Sequence, residues 1–188
     1  NKIEHNVSQI AHENNLSIDE LQEKLEGARK QLLQYREKRV YPHVDDKILT
    51  AWNSMMITAL AIAGRVYNED SYTNAAEKAV QFIENNLFDK ERLMARYRDG
   101  ETKFKAYVDD YVFLIWAYLE LYGTTSSLNY LQKGKKLLDD MLDLFWDEQY
   151  GGFFQTGIDA AQLLSREKEI YDDALPSGNG LAAVMLVK

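Results

Sequence analysis

The chain has 188 residues, of which 46% are hydrophobic and 28% charged, and its net charge is −8. This composition is typical of a soluble globular protein, and the acidic balance argues against binding to nucleic acid or to an anionic membrane. The absence of cysteine excludes a disulfide framework or a thiolate metal site within these residues. No apolar run is long enough to span a membrane, so none is predicted to do so, and a cytoplasmic location is expected.

The first helical pattern follows residues 1–16, which show no periodicity and are expected to form a loosely ordered lead-in. Ser17 and Glu20 have the spacing of a capping box. From Ile18 to Tyr35, apolar residues recur at steps of three and four on an otherwise charged background. A single apolar stripe of this kind predicts a helix that lies at a surface.

Five further helical segments alternate between two types. Residues 46–67, 110–121 and 181–187 are nearly all apolar, which predicts inner helices that are covered on every side. Residues 71–87 and 128–145 each carry one apolar stripe, which predicts outer helices. Two concentric layers of helices predict an all-α fold that forms part of an (α/α)6 toroid.

Short segments with strand character separate the helical pairs. Residues 93–107 predict a hairpin around the turn Asp99-Gly100, and a comparable stretch begins at Gly151. Three repeats of an outer and an inner helix are predicted within a single toroid domain, at about 17–67, 68–121 and 122–188. A closed toroid has six such pairs, so the chain is expected to supply about half of one.

Three pairs of adjacent aspartates stand at near-equal intervals. Asp45-Asp46, Asp109-Asp110 and Asp172-Asp173 are 64 and then 63 residues apart, and Trp52 and Trp116 each follow an aspartate by six residues. The period predicts a repeat architecture. Asp46, Asp110 and Asp173 are then expected in the first turns of adjacent, parallel inner helices. Helix capping explains one carboxylate of each pair and leaves the second available at the mouth of the toroid.

Carboxylates gathered at one mouth could act on a sugar as acid and base, or as acid and nucleophile. The candidate catalytic residues are Asp109, Asp110, Asp46 and Asp173. Burial or repulsion between like charges is expected to raise the pKa of at least one aspartate in the three pairs. No loop has calcium-binding spacing, so no metal site is predicted, and no cofactor is expected.

Residues near the aspartate pairs are candidate substrate-binding residues, and each also has a structural interpretation. Trp52 is either a core residue, the simpler interpretation, or a sugar platform. Asn53, polar within an apolar helix, either satisfies a neighbouring backbone group or contacts a ligand. Residues 176–180 are either turn and cap chemistry or a functional loop. The full candidate set is His43, Asp45, Trp52, Asn53, Tyr107, Asp172, Ser177 and Asn179.

Four motifs resemble those of one family. Residues 36–53, which include Pro42-His43-Val44-Asp45-Asp46, resemble the signature of the bacterial YyaL and spermatogenesis-associated, thioredoxin-like-domain proteins. Residues 107–111, 151–154 and 172–179 resemble later motifs of that family in the right order. The resemblance covers the chain from Ser17 onward. It implies a barrel like those of six-hairpin glycosidases and N-acylglucosamine 2-epimerases, and a preceding thioredoxin-like domain that is absent from these residues.

The resemblance implies a carbohydrate-active toroid, with a small carbohydrate as its partner, but no established activity. Hydrolase or hydratase chemistry with aspartates fits these residues better than 2-epimerase chemistry. A 2-epimerase commonly uses histidines as bases, and only His43 lies near a motif. A non-catalytic toroid that binds a partner or positions the thioredoxin-like domain remains the alternative from another class. Open toroid edges, with Leu181, Val184, Met185 and Val187 most exposed, predict a homodimer.

Overall fold

The computed structural model describes residues 6–161 and 165–188. Residues 1–5, which carry part of the predicted lead-in, and residues 162–164 lie outside the described residues. The chain forms two compact units, Asn1–Asp45 and Asp46–Lys188.

The main element of the first unit is helix α2 (Ile18–Glu37), whose start has the predicted capping box. Ser17 Oγ accepts a hydrogen bond from the Glu20 N–H at 3.2 Å, and the Glu20 carboxylate accepts one from the Ser17 N–H at 2.8 Å. Two free donors at the helix start are thereby satisfied reciprocally. The expectation of a helix that begins here is confirmed.

A short helix, α1 (Val7–Glu13), lies where the sequence predicted a loosely ordered lead-in. Asn6 caps it, because its side-chain oxygen accepts a hydrogen bond from the Gln9 N–H at 2.8 Å. Ala11 on α1 and Leu21 on α2 are both buried. A local cap and one buried contact therefore support a helix too short to show periodicity.

The second unit contains five helices and four short strands among its described residues. In chain order they are β1 (Ile48–Leu49), α3 (Thr50–Tyr67), α4 (Asp70–Asn86), β2 (Phe88–Asp89), β3 (Arg92–Arg98), β4 (Glu101–Lys105), α5 (Val108–Thr125), α6 (Leu128–Phe145) and α7 (Gly178–Val187). All strand pairs are antiparallel, in the order β1-β3-β2 with β4 also paired to β3. The predicted hairpin is thus β3–β4, with its turn at Asp99-Gly100.

Helices α3 and α5 pack side by side and run in the same direction. At their starts, the Ala51 N–H donates a hydrogen bond to the Asp110 carboxylate at 2.9 Å. Towards their ends, the Thr124 hydroxyl donates to the Ala61 carbonyl at 2.9 Å. Contacts of start with start and end with end show that the two helices are parallel, as predicted.

Helix α7 packs against α5 with the same polarity. Gly178, at the start of α7, lies against Asp109 at the start of α5. Lys188, just beyond the end of α7, donates to the Glu120 carboxylate at 2.6 Å near the end of α5. The starts of α3, α5 and α7 therefore lie on one side of the unit, which confirms the predicted row of adjacent, parallel inner helices.

The spacing of the aspartate pairs does not match the spacing of the helices. The starts of α3, α5 and α7 are 58 and then 70 residues apart, not 64 and 63. Only Asp110 lies in a first turn; Asp46 precedes α3 by four residues and Asp173 precedes α7 by five. The first-turn prediction is wrong for those two residues, because β1 and a loop of different length separate each pair from its helix.

The inner helices differ in how completely they are covered. Helix α5 is buried along almost its whole length, whereas Trp52 and Met56 on α3 are 62% and 58% exposed. Full coverage was therefore a wrong prediction for α3. On α7, residues Leu181 and Met185 are buried, whereas Val184 and Val187 are exposed. The predicted exposure is therefore correct for Val184 and Val187 and wrong for Leu181 and Met185. One face of α7 packs against the core, whereas the opposite face is exposed to solvent.

Arg92, at the start of β3, connects the sheet to the helical core. Its guanidinium donates to the Tyr111 hydroxyl at 2.8 Å, to the Ala106 carbonyl at 3.2 Å and to the Asp159 carboxylate at 3.0 Å. The group also lies over the rings of Tyr111 and Phe145 at 5.3 and 5.7 Å. The hydrogen bond from Arg92, with a smaller contribution from Lys105, lowers the pKa of Asp159 to about 2, although burial acts in the raising direction.

Replacing Arg92 with lysine is expected to lower the free energy of unfolding by about 2–4 kcal/mol, because a lysine cannot reproduce the planar fork and leaves buried acceptors unpaired. The Asp159 contribution is present above its unfolded pKa, near 4, and is lost as the pH falls towards 2. The Arg92→Lys effect is therefore expected to be smaller at pH 2 than at pH 7, as measured by urea unfolding.

Lys105→Met is the matched control for this prediction, because Lys105 pairs with the same Asp159 carboxylate at 2.9 Å from a more exposed position. An exposed ion pair contributes about 1 kcal/mol or less. If the free energy of unfolding falls by the same amount in the two variants, the planar guanidinium of Arg92 contributes no more to stability than an exposed ion pair does.

Candidate functional site

The starts of α3, α5 and α7 surround two adjoining cavities, which together we call the mouth. The first cavity has a volume of about 240 Å³ and is lined by Leu49, Ala51, Trp52, Ala95, Tyr107, Asp109, Asp110, Phe113, Gln155 and Leu175. The second has a volume of about 260 Å³ and is lined by Asp109, Glu169, Tyr171, Asp173, Ala174, Leu175, Pro176 and Ser177. Asp109 and Leu175 line both cavities, so Asp109 lies where they join.

Two other cavities, of about 310 and 400 Å³, lie along α4 and α6. In these cavities the Lys133 ammonium donates to Glu84 at 2.7 Å, and the Tyr118 hydroxyl donates to the same carboxylate at 3.1 Å. The mouth differs, because it contains buried acceptor oxygens with no partner among the described residues. Buried polar groups are normally hydrogen-bonded, so the mouth is the stronger candidate for a ligand site.

Asp110 joins the starts of two neighbouring helices. One carboxylate oxygen accepts the Ala51 N–H of α3, and the other accepts the N–H of Tyr107, which precedes α5, both at 2.9 Å. Leu49 is the N-cap residue of α3, and its apolar side chain cannot accept a hydrogen bond from the first turn of that helix. Both oxygens of Asp110 therefore bind backbone donors, which is the capping role that the sequence offered as the alternative to catalysis.

Burial raises the pKa of Asp110 to about 7, while the backbone hydrogen bonds from Tyr107 and Ala51 act in the lowering direction. The nearby charge of Asp109 contributes a smaller raising effect. The expectation that at least one paired aspartate has a raised pKa is met at this residue, and the main cause is burial rather than repulsion.

Asp109 presents a carboxylate to the mouth. One of its oxygens, Oδ2, accepts a hydrogen bond from the Gln155 side-chain amide at 2.9 Å. The other, Oδ1, is buried and has no hydrogen-bond partner in the described part of the chain. Gly178 lies so close that any side chain at that position would collide with Oδ1. The start of α7 thus packs directly against Oδ1 of Asp109 without giving it a hydrogen-bond donor.

Trp52 lies in the first turn of α3, lines the first cavity and is 62% exposed. The expectation that it is a core residue is wrong, because its position at the helix start places it at the rim of the mouth. Trp116, two turns into α5, is partly buried against the core. Asn53 donates to the Leu49 carbonyl at 2.8 Å and so satisfies a neighbouring backbone group.

The loop before α7 has turn and cap chemistry. Asp172 accepts a hydrogen bond from the Ser177 N–H at 2.8 Å, and Ser177 caps α7 by accepting from the Gly180 N–H at 3.1 Å. The Asn179 side chain bonds to both backbone groups of Phe153. Of these predicted site residues, Ser177 lines the second cavity, whereas Asp172 and Asn179 hold the loop in place.

Among the remaining candidates of the second unit, Asp46 does not line the mouth, whereas Asp173 does. Asp46 is exposed and forms an ion pair with Arg98 at 2.8 Å. His43 and Asp45 belong to the first unit, where both are exposed. Asp173 lines the second cavity, so the structure brings two of the four candidate catalytic residues, Asp109 and Asp173, to the mouth as carboxylates without a backbone capping role.

Sequence reasoning missed Gln155, Phe113 and Leu175 as lining residues of the first cavity. Gln155 follows the Gly151-to-Phe154 motif, but a single polar residue in an irregular segment has no periodic signal. Across residues 6–161 and 165–188, no group of three or more acidic, histidine or cysteine side chains could hold a metal ion. Over the same residues, no helix has the length and apolar character needed to cross a membrane.

Solved structures show which class of fold this is. The chain matches a D-mannose isomerase with a TM-score of 0.60 and 15% identity over 74% of this chain and 37% of that one. It matches a GH76 alpha-mannanase from Bacteroides thetaiotaomicron with a TM-score of 0.56 and 17% identity, over 62% and 34%. It also matches a cellobiose 2-epimerase from Bacillus thermoamylovorans with a TM-score of 0.55 and 21% identity, over 62% of this chain and 31% of that one. The predicted partial (α/α)6 toroid is confirmed.

Curated relatives show a more particular resemblance. The chain is 30% identical to human spermatogenesis-associated protein 20 over 92% of its length and 27% identical to the Rattus norvegicus protein of the same name. It is therefore homologous to spermatogenesis-associated protein 20, as its motifs predicted, although no family model matches it. The chain spans about a quarter of the length of these relatives.

Proposed function

We propose that the mouth binds a carbohydrate and that Asp109 acts on it as a proton donor or acceptor. The observation that carries this proposal is the buried, unpartnered Oδ1 of Asp109, a residue that lines both cavities. Leaving a buried acceptor unpaired has a free-energy cost, so a hydrogen-bond donor is expected to occupy this position. Sugar hydroxyls are donors of the right kind.

Trp52 supports a sugar rather than a small polar ion as the ligand. Trp52 is largely exposed and lines the first cavity, which Asp109 also lines. An aromatic face combines a large apolar area with specific geometry, and the C–H groups of a sugar ring can pack on it while the hydroxyls reach polar partners. Phe113 and Leu175 add further apolar lining to the same cavity.

The carboxylates favour hydrolase or hydratase chemistry over epimerisation. Asp109 has an oxygen without a hydrogen-bond partner among the described residues, and Asp173 lines the adjoining cavity. Asp110 is not available for this role, because both of its oxygens hold backbone N–H groups. No histidine is among the residues that line the mouth, although a sugar 2-epimerase commonly uses one. The names of the structural neighbours, an epimerase, an isomerase and a mannanase, are consistent with a sugar ligand in each case.

A sugar-binding toroid without catalysis is the second candidate. It is favoured by the structural use of Asp110, which leaves fewer carboxylates for paired acid and base roles than the sequence predicted. Both candidates share the mouth, and turnover by the wild-type protein separates them.

Replacing Trp52 with alanine is expected to weaken sugar binding about tenfold or more, because the variant loses the aromatic face. The free energy of unfolding is expected to change by about 1 kcal/mol or less, since the side chain is largely exposed. Calorimetric titration of the purified protein with D-glucose, D-mannose, cellobiose and unsaturated uronides measures the affinity, and urea unfolding measures the stability.

Met56→Ala is the matched control, because Met56 is 58% exposed on the same helix but does not line either cavity of the mouth. It is expected to leave sugar affinity unchanged. If no sugar of the panel binds the wild-type protein, or if both variants bind as the wild type does, the proposed function is wrong.

A further inference from the structure

We infer that Gln155 determines which sugar the mouth accepts: its Oε1 and the Oδ1 of Asp109 each accept a hydrogen bond from a hydroxyl group of the bound sugar. This inference rests on the proposed function of the mouth and adds a residue that no sequence motif assigns to it. It concerns substrate selection, whereas Asp109 alone carries the proposed proton transfer.

The orientation of the Gln155 amide is fixed by Asp109. The NH2 group of Gln155 donates to Asp109 Oδ2 at 2.9 Å, so the carbonyl oxygen Oε1 is the other end of the amide. That oxygen is buried and, like Asp109 Oδ1, has no hydrogen-bond partner among residues 6–161 and 165–188. Both side chains line the first cavity. One hydrogen bond thus leaves two acceptor oxygens on neighbouring side chains of one cavity.

The backbone holds Gln155 in register with Asp109. The carbonyl of Gln155 accepts the N–H of Val108, the residue immediately before Asp109, at 3.2 Å. Its N–H donates to the Glu167 carbonyl at 2.7 Å. The backbone of Gln155 is therefore fixed on one side to the start of α5 and on the other to the segment that contains Glu167. A site in which the acceptors are held in place before binding discriminates between ligands by the donors they present.

Two acceptors without donors call for a ligand that donates twice. A sugar ring carries hydroxyls on neighbouring carbons, and each can donate to one oxygen while keeping its own lone pairs for other partners. A metal ion is a poorer fit, because no group of three or more metal-binding side chains occurs among the described residues. A site built to hydrogen-bond a hydroxyl discriminates strongly against an analogue that lacks it, because its buried polar group is then unpaired.

The test uses the purified protein with D-glucose, D-mannose, cellobiose and their monodeoxy derivatives. For the sugar that binds, removal of either of two hydroxyls is expected to weaken wild-type affinity about tenfold or more. Gln155→Met keeps the length of the side chain but has no hydrogen-bonding amide. It is expected to weaken binding of the parent sugar about tenfold and to abolish the penalty for one of the two deoxy derivatives. Gln149→Met, at an exposed glutamine outside the mouth, is the control.

Gln155→Glu provides a second variant if the methionine variant does not fold. It keeps an acceptor oxygen, so it is expected to retain both deoxy penalties while it weakens binding of the parent sugar, because a second carboxylate then faces Asp109. If Gln155→Met binds the parent sugar as tightly as the wild type does and loses the same affinity with each deoxy derivative, this inference is wrong, whereas the proposed function stands. Loss of both penalties in Gln155→Glu also overturns this inference. If the wild type binds none of these sugars, the proposed function and this inference fail together.

Discussion

Replacing Asp110, which is buried in the first turn of α5, with alanine is expected to lower the free energy of unfolding by about 2–5 kcal/mol. The carboxylate holds the Ala51 N–H of α3 and the N–H of Tyr107 at the start of α5. The variant leaves both backbone donors without an acceptor, at about 1–3 kcal/mol for each buried group. Because Leu49 cannot cap α3, no neighbouring side chain replaces the lost bond.

The loss is also expected to depend on pH. Burial raises the pKa of Asp110 from 3.8 to about 7 in the folded protein. Between pH 4 and pH 7 the folded protein therefore retains a proton that the unfolded chain has released, and stability falls as the pH rises through this window. This difference in pKa corresponds to a fall of about 4 kcal/mol in the free energy of unfolding across the window. The destabilisation by Asp110→Ala is thus expected to be larger at pH 5 than at pH 8.

Asp109→Asn is the matched control for stability, because Asp109 lies in the same turn but its carboxylate holds no backbone N–H in the described contacts. This variant is expected to unfold within about 1 kcal/mol of the wild type. Urea unfolding of both variants from pH 5 to pH 8 measures the difference. Similar losses in the two variants, or no loss in Asp110→Ala, would contradict the capping role of Asp110.

The second large effect is expected on turnover. Asp109→Asn removes the proton-transfer group and keeps the size of the side chain, so the rate on the sugar identified by the screen is expected to fall about 10²–10⁴-fold. Sugar affinity is expected to change far less, because the amide still offers an oxygen or an N–H to a hydroxyl. Steady-state rates and calorimetric affinities, measured at the same pH, separate these two quantities.

Asp46→Asn is the control for turnover. It makes the same chemical change at an exposed carboxylate that pairs with Arg98 and does not line the mouth. It is expected to leave the rate unchanged. A wild-type rate in Asp109→Asn would rule out Asp109 as the acid or base. A wild-type protein that binds the sugar but turns over none would favour the non-catalytic toroid.

Hydrophobic patterning predicted the helices well, for a physical reason. Segments that are apolar all round or striped on one side reveal their burial directly in the sequence, so α2 to α7 were predicted close to where they lie. The spacing of the aspartate pairs was a poorer guide, because β1 and a long irregular segment before α7 change the distance from pair to helix. The period of the aspartate pairs along the sequence therefore did not match the period of the helix starts in the structure.

The site could be predicted only in part. Asp109 was found because paired aspartates precede an apolar helix, and that signal is local. The shared cap made by Asp110 joins residues 59 positions apart, and the role of Gln155 depends on a contact 46 positions away along the chain. No local pattern encodes such contacts. Trp52 was first interpreted as core because its apolar neighbours suggested burial, whereas its place in the first turn decides its exposure.

The most direct measurement of sugar binding at the mouth is a titration followed through the three tryptophan indole N–H signals in a ¹H–¹⁵N NMR spectrum. Trp52 lines the first cavity, whereas Trp116 and Trp146 are partly buried against the core. Addition of the sugar that binds in calorimetry is expected to shift the Trp52 signal, assigned by its loss in Trp52→Phe, and to move the other two much less. A Trp52 signal that stays in place at saturating sugar, while another indole moves, would contradict binding at the mouth.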